Sequence, residues 1–412
     1  MKYFKHILII SSFISVTTVN ASSKIVYGID NRIETYQASP AHQLLAKSTA
    51  GMINSIKVID VGNYKLLPPS SLERSYQMCS DERFIDQPTA VSCSGFLVGP
   101  DLLVTAGHCI PNQEACDAKS WVFDYKLNER NKKASLMLPK ENVYKCSKVI
   151  EARLEGYRDQ ARDYSLIKLD RVVTDREPLK YRVNGKVKDM GSVMVIGHPT
   201  GLPQKVSPGG TVYINSSPYS FVTNLDTFGG NSGSAVFNEE SLQIEGILVR
   251  GAKDYIEDAS CGTRVNRVAE DDALNPSYGE SVSRITDIAY LQNRDAFLAS
   301  VSKYDYIKFK TMLDSIISSE IDLSLMYDND KNTALHLVAA KNNVHFAKQL
   351  IAEDIDLNAK NVFGETALHI AAKYNRSLMY NVLIQAGADT KIKNGTGLTA
   401  NQIKNLFSVS IH

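Results

Sequence analysis

Tryptophan occurs once, charge of neither sign predominates, and cysteine is missing after Cys261. Each shortage excludes something. Lysine and arginine number 46 against 45 acidic residues, a formal net charge of +1. So balanced a chain has no electrostatic reason to bind nucleic acid or an anionic membrane surface. No apolar run reaches the ~20 residues that cross a bilayer, so no membrane span is expected in the mature chain. The lone Trp121 reads as core rather than as a platform for a ligand. The six cysteines are Cys79, Cys93, Cys109, Cys116, Cys146 and Cys261, and their confinement to one side of the chain points to two domains of different origin. Length agrees, because 412 residues exceed one ordinary core.

The first residues form a secretory signal in outline. Met1 to Lys5 carries two lysines, an apolar run follows from Ile7 to Val16, and Val19-Asn20-Ala21 supplies small residues for a signal peptidase. Cleavage is expected after Ala21, leaving a secreted or periplasmic protein with residues 1–21 removed. The run is too short to serve as an anchor. In an exported chain an even number of cysteines predicts disulfides.

From Cys79 to about Ser283, short apolar runs alternate with glycine, proline and other turn residues. Ser94–Val98, Leu102–Ala106, Trp121–Tyr125, Tyr164–Leu169, Ser192–Ile196, Gly210–Ile214 and Ile244–Val249 are such runs. Many short strands so punctuated predict an all-β barrel or sandwich. After about Ile285 the period becomes helical. Thr333-Ala-Leu-His336 returns 33 residues later as Thr366-Ala-Leu-His369, and one more step lands on Thr399-Ala400. This period and motif resemble the ankyrin repeat, two antiparallel helices and a turn. The family's proline after the threonine is alanine here. The resemblance implies that His336 and His369 tie neighbouring turns by hydrogen bonds, and that the surface binds a protein partner. Two clear repeats need company to bury a core. Residues from about Asp295 to Leu325 are therefore expected to form a degenerate first unit and Leu398 to His412 a cap, giving an all-α domain over 290–412 with about three to four repeats.

Three segments carry chemistry: Val104-Thr-Ala-Gly-His-Cys109, Asp163-Tyr-Ser-Leu-Ile-Lys-Leu169 and Gly229-Gly-Asn-Ser-Gly-Ser234. A serine hydroxyl is a poor nucleophile at neutral pH. It needs a base, and the base needs a third group to fix its tautomer. In the order His, Asp, Ser, the segments resemble the chymotrypsin-like serine peptidases. The likeness is to the bacterial branch with the V8-type glutamyl endopeptidases, through Asn231-Ser232-Gly233-Ser234, and it covers roughly residues 25 to 285. It implies a double β-barrel over residues 22–285 and serine endopeptidase activity on protein or peptide substrates, with no cofactor and no metal. Ser232 would be the nucleophile, His108 the general base and Asp163 its orienter, while the N–H groups of Gly230 and Ser232 would form the oxyanion hole. The rival reading is a catalytically silent carrier whose function lies in the ankyrin surface.

The resemblance also implies a Cys93–Cys109 disulfide beside the histidine, worth on the order of 3 kcal/mol in the chain-entropy model. The other four cysteines allow three pairings, with a lean to Cys116–Cys146 because both flank one predicted strand pair. By the same likeness, substrate contacts fall to Asp226, Thr227 and Leu248. Asp226 lies where trypsin-like enzymes hold the carboxylate that selects Lys or Arg; it reads equally as a turn residue bonded to its own backbone. Thr227 matches a glutamyl-endopeptidase threonine. Leu248 replaces the histidine those enzymes carry, which argues against strict Glu specificity. Asn231 stands where many animal members have an aspartate, so an activation switch built on an N-terminal ammonium–carboxylate pair cannot form. His198 is expected in a turn without a catalytic part.

Overall fold

The computed structural model describes residues 26–156, 162–251, 254–268, 279–318 and 322–408. The predicted signal, residues 1–21, lies outside them. The first six long strands are β1 (Thr49–Asn54), β2 (Cys93–Leu97), β3 (Leu102–Thr105), β4 (Lys119–Phe123), β5 (Val143–Glu155) and β6 (Arg162–Leu169). They close antiparallel in the order β5-β6-β3-β2-β1-β4. The closure explains the apolar runs: β2 and β3 are buried at every position, so they do not alternate as a half-exposed strand would. Gly95 leaves room for Trp121, whose ring would stand 2.7 Å from a Cβ there. Trp121 is fully buried, as expected of a core residue.

A second barrel follows from β7 (Ser192–Gly197), β8 (Lys205–Ile214), β9 (Ser220–Thr223), β10 (Ala235–Asn238), β11 (Ile244–Arg250) and β12 (Glu280–Arg284). Its order is β7-β10-β11-β12-β9-β8, the ring closes by pairing β7 with β8, and the short strand Ile33–Glu34 adds to β8. The double barrel read from the sequence is thus the fold. Three disulfides staple it. Cys93–Cys109 and Cys116–Cys146 form as anticipated, and Cys79 pairs with Cys261 across 182 positions.

Helices α1 (Ala289–Lys303), α2 (Tyr306–Ser318), α3 (Ala334–Lys341), α4 (Val344–Ala352), α5 (Ala367–Lys373), α6 (Ser377–Gln385) and α7 (Ala400–Ser408) stack in pairs behind the barrels. Among the described residues, no helix is long and apolar enough to cross a membrane. His336 accepts the Thr333 N–H at Nδ1 (3.2 Å) and reaches the Glu365 carbonyl with Nε2 (2.9 Å); His369 spans Thr366 and the Leu398 carbonyl likewise. Burial holds both imidazoles below their ordinary pKa. They are therefore neutral at physiological pH, which this donor-plus-acceptor role requires.

The stack is seated on the first barrel. Ile288, before α1, has no side chain that could cap a helix. Glu151 of β5 does so instead, accepting the N–H groups of Ala289 (3.2 Å) and Tyr290 (2.8 Å). A carboxylate there also complements the helix dipole. Arg162 grips Asp287 through two hydrogen bonds of 2.8 and 2.9 Å. Asp101, 2% exposed between β2 and β3, takes the Tyr327 hydroxyl at 2.5 Å and the Lys331 ammonium at 3.0 Å. One continuous set of buried apolar side chains runs from Phe96 and Leu103 through Ile288 and Leu291 to the last repeats.

Candidate active site

His108 sits in the turn after β3, where a Cβ at Gly107 would collide with the Arg153 carbonyl. That glycine lets the turn lie close against β5 and β6. His108 then meets Asp163 twice: its backbone N–H donates to Oδ1 at 3.0 Å, and its Nδ1 lies 2.9 Å from Oδ2. Asp163 is 1% exposed, whereas the His108 side chain keeps 37% of its surface in solvent. A carboxylate that accepts from Nδ1–H leaves Nε2 as the nitrogen with the free lone pair in the neutral ring.

Ser232 comes from the second barrel, on the loop that leads into β10. Gly230 and Gly233 have φ of +92° and +87°, which L side chains rarely adopt. At Gly233 a Cβ would also collide with the Ser94 carbonyl, so the loop can press onto β2 only with glycine there. Ser94 N–H donates to the Ser232 carbonyl at 2.8 Å, and that carbonyl lies 3.8 Å from Sγ of Cys109, the residue after His108. These backbone contacts set the Ser232 segment beside the turn that carries His108. Among the described residues, neither the Gly230 nor the Ser232 N–H has an acceptor.

A pocket of about 160 Å³ opens beside Ser232. Thr227 and Leu248 line it, together with Arg250, Asp254 and Glu280. Asp226 does not, and both readings of it are corrected. Its carboxylate turns away and accepts the N–H groups of Tyr27 (2.8 Å) and Asn31 (3.0 Å), far from its own backbone. Two backbone donors outcompete a solvent-facing position for this carboxylate. Asp254 and Glu280 were missed because no motif surrounds them, and they reach the pocket from a loop and a strand well downstream of the serine. Asn231 is buried and uncharged, with Oδ1 3.4 Å from Ser234 Oγ. His198 is 1% exposed in the turn after β7, stacks on Tyr125 and is pushed down to about 3 by burial.

Burial pushes Asp226 up to about 6, above its ordinary 3.8. Between these values the folded chain keeps a proton that the unfolded chain has shed. Asp226 therefore contributes stability that is full below pH 4 and is lost as pH rises through 6. In urea unfolding at pH 4 and pH 7, the stability of wild type relative to Asp226→Asn should fall between the two pH values. A constant difference would show that the two backbone donors offset the desolvation.

Residues 93–247 match the family of trypsin-like peptidase domains, and residues 304–394 match ankyrin repeats in three copies. No curated protein matches the chain. Among solved structures, one described as a Glu endopeptidase in complex with MPD aligns with 65% of this chain and 99% of its own, at 16% identity and a TM-score of 0.35. In this chain a stretch that matches trypsin-like peptidase domains is thus followed by one that matches ankyrin repeats.

Proposed function

We propose that the chain is an exported serine endopeptidase that cleaves proteins or peptides through an acyl-enzyme, with the ankyrin repeats as its protein-binding part. The observation that carries this reading is the doubly hydrogen-bonded His108–Asp163 pair, with the Ser232 loop pinned beside it. In the proposed cycle His108 Nε2 takes the Ser232 proton as Oγ attacks the scissile carbonyl. The N–H groups of Gly230 and Ser232 bind the oxyanion, where one such donor is typically worth ~10²–10³ in turnover. His108 returns the proton to the leaving amine, and a water activated by the same imidazole then hydrolyses the ester. Export rests on the N-terminal segment read above.

A serine-directed phosphonate tests the reading. A folded preparation should gain one adduct, mapped by mass spectrometry to Ser232, and should lose its peptidase activity in step. A pure, folded chain that never labels at Ser232 would leave only the binding role of the repeats.

A further inference from the structure

The carboxylate that orients His108 sits at the loosely held end of its strand. β6 pairs with β3 only from Ser165 onward. Among the described residues, Arg162, Asp163 and Tyr164 therefore have a strand neighbour on one side alone, namely Glu155, Leu154 and Arg153 of β5. That neighbour is itself poorly covered, with Leu154 49% exposed. A strand end paired on one side opens more readily than the middle of a sheet. The proposed cycle nevertheless needs Asp163 fixed, because its two hydrogen bonds hold both the backbone and the ring of His108.

A brace acts from the other face of the strand. Side chains alternate along a strand, so Arg162 and Tyr164 lie opposite Asp163. Arg162 meets both Asp287 oxygens, at 2.8 and 2.9 Å, reaches Glu155 at 3.2 Å and covers the Tyr219 ring at 5.1 Å. Tyr164 is fully buried and donates to Glu151 Oε1 at 2.6 Å, on the same carboxylate that caps α1. We propose that Asp287 is a positioning residue for peptide cleavage. Through Arg162 it holds the end of β6, and with it Asp163, in place against His108, while Glu151 and Tyr164 carry the same restraint from the start of α1. The proposal rests on the peptidase reading and adds to it a dependence of turnover on the start of the helical stack.

The physical reason is geometric. Misplacing a reacting group by about 1 Å can cost ~10²-fold in rate, even when the change begins far from the chemistry. Asp287, Arg162, Glu151 and Tyr164 do not line the pocket beside Ser232. Loosening them should therefore act on turnover and leave substrate affinity alone. The ion pair itself is partly exposed, with 25% of the Arg162 side chain and 9% of Asp287 in solvent, so its contribution to overall stability is modest. Its effect on turnover should be the larger of the two.

Asp287→Asn in the full chain is the test, because it keeps the shape of the side chain and removes its charge. With a fluorogenic peptide that wild type cleaves, kcat per active site should fall at least about tenfold, and KM should stay within about twofold. Active sites are counted by end-point phosphonate labelling of Ser232, so molecules lost to unfolding drop out of the ratio. Arg162→Gln should behave alike, and the double variant should fall no further than the worse single one, since the two side chains act as a unit. Wild-type kcat per labelled site in Asp287→Asn, a loss confined to KM, or losses that multiply in the double variant would each overturn the proposal. Should Asp287→Asn fail to fold, Tyr164→Phe decides by the same ratio: a several-fold loss of kcat at constant KM supports the brace, and an unchanged kcat sinks it. Wild type that labels and cleaves beside unaffected variants refutes only the positioning role. Wild type that never labels refutes the peptidase reading and takes the positioning role with it.

Discussion

Asp163→Asn should lower kcat about ten-thousand-fold while leaving the chain folded and its substrate affinity nearly intact. Asparagine has the same shape and can still accept the His108 backbone N–H. At the other position its amide competes for the imidazole as a donor and favours the tautomer with the proton on Nε2. The base then has no lone pair aimed at Ser232, and the imidazolium formed during attack loses its countercharge. Losses of ~10⁴ are typical when an aspartate in this role is replaced in this way. The measurement is steady-state kinetics on a cleaved peptide, with thermal unfolding as the control for fold. A loss below about tenfold would mean that the pair seen between His108 and Asp163 does not set the base.

The second large effect concerns stability. Asp101→Ala should cost about 3 kcal/mol, the low end for breaking a buried ion pair, because Lys331 keeps 21% of its side chain in solvent. It also strips the buried Tyr327 hydroxyl of its acceptor. Removing both charges, in Asp101→Ala with Lys331→Met, should recover part of the loss, since no lone ammonium is then left at the boundary. Trp121 reports the first barrel alone by fluorescence, and far-ultraviolet circular dichroism reports chiefly the helices. In urea the two signals should coincide in wild type and separate in Asp101→Ala, with the helices melting first. Coincident, unshifted transitions in the variant would show that the apolar contacts alone seat the stack.

What could be read from the sequence was what is local. The turn holding His108, the strand that begins near Asp163 and the glycine-flanked Ser232 each announce themselves within a few residues, because the chemistry requires particular types side by side. The repeat was equally legible, since a period is a property of the chain itself. The long-range contacts were not. Asp226 was misread because its two donors, Tyr27 and Asn31, lie almost 200 positions earlier. Asp254 and Glu280 become neighbours of Ser232 only when the second barrel closes. The Cys79–Cys261 pairing was left open for the same reason, as spacing alone cannot choose among three partners. Nothing periodic marks Glu151 as the cap of α1.

That borrowed cap has a practical corollary. Tyr164, next to Asp163, donates its hydroxyl to Glu151 at 2.6 Å with the Asp287 carbonyl 3.1 Å away, and Arg162 on the other side is fastened to Asp287. Both sequence neighbours of the buried carboxylate therefore lean on the junction that begins the helical stack. A cut at residue 285 would remove Asp287 and the start of that helix, and with them the contacts that fasten the strand carrying Asp163.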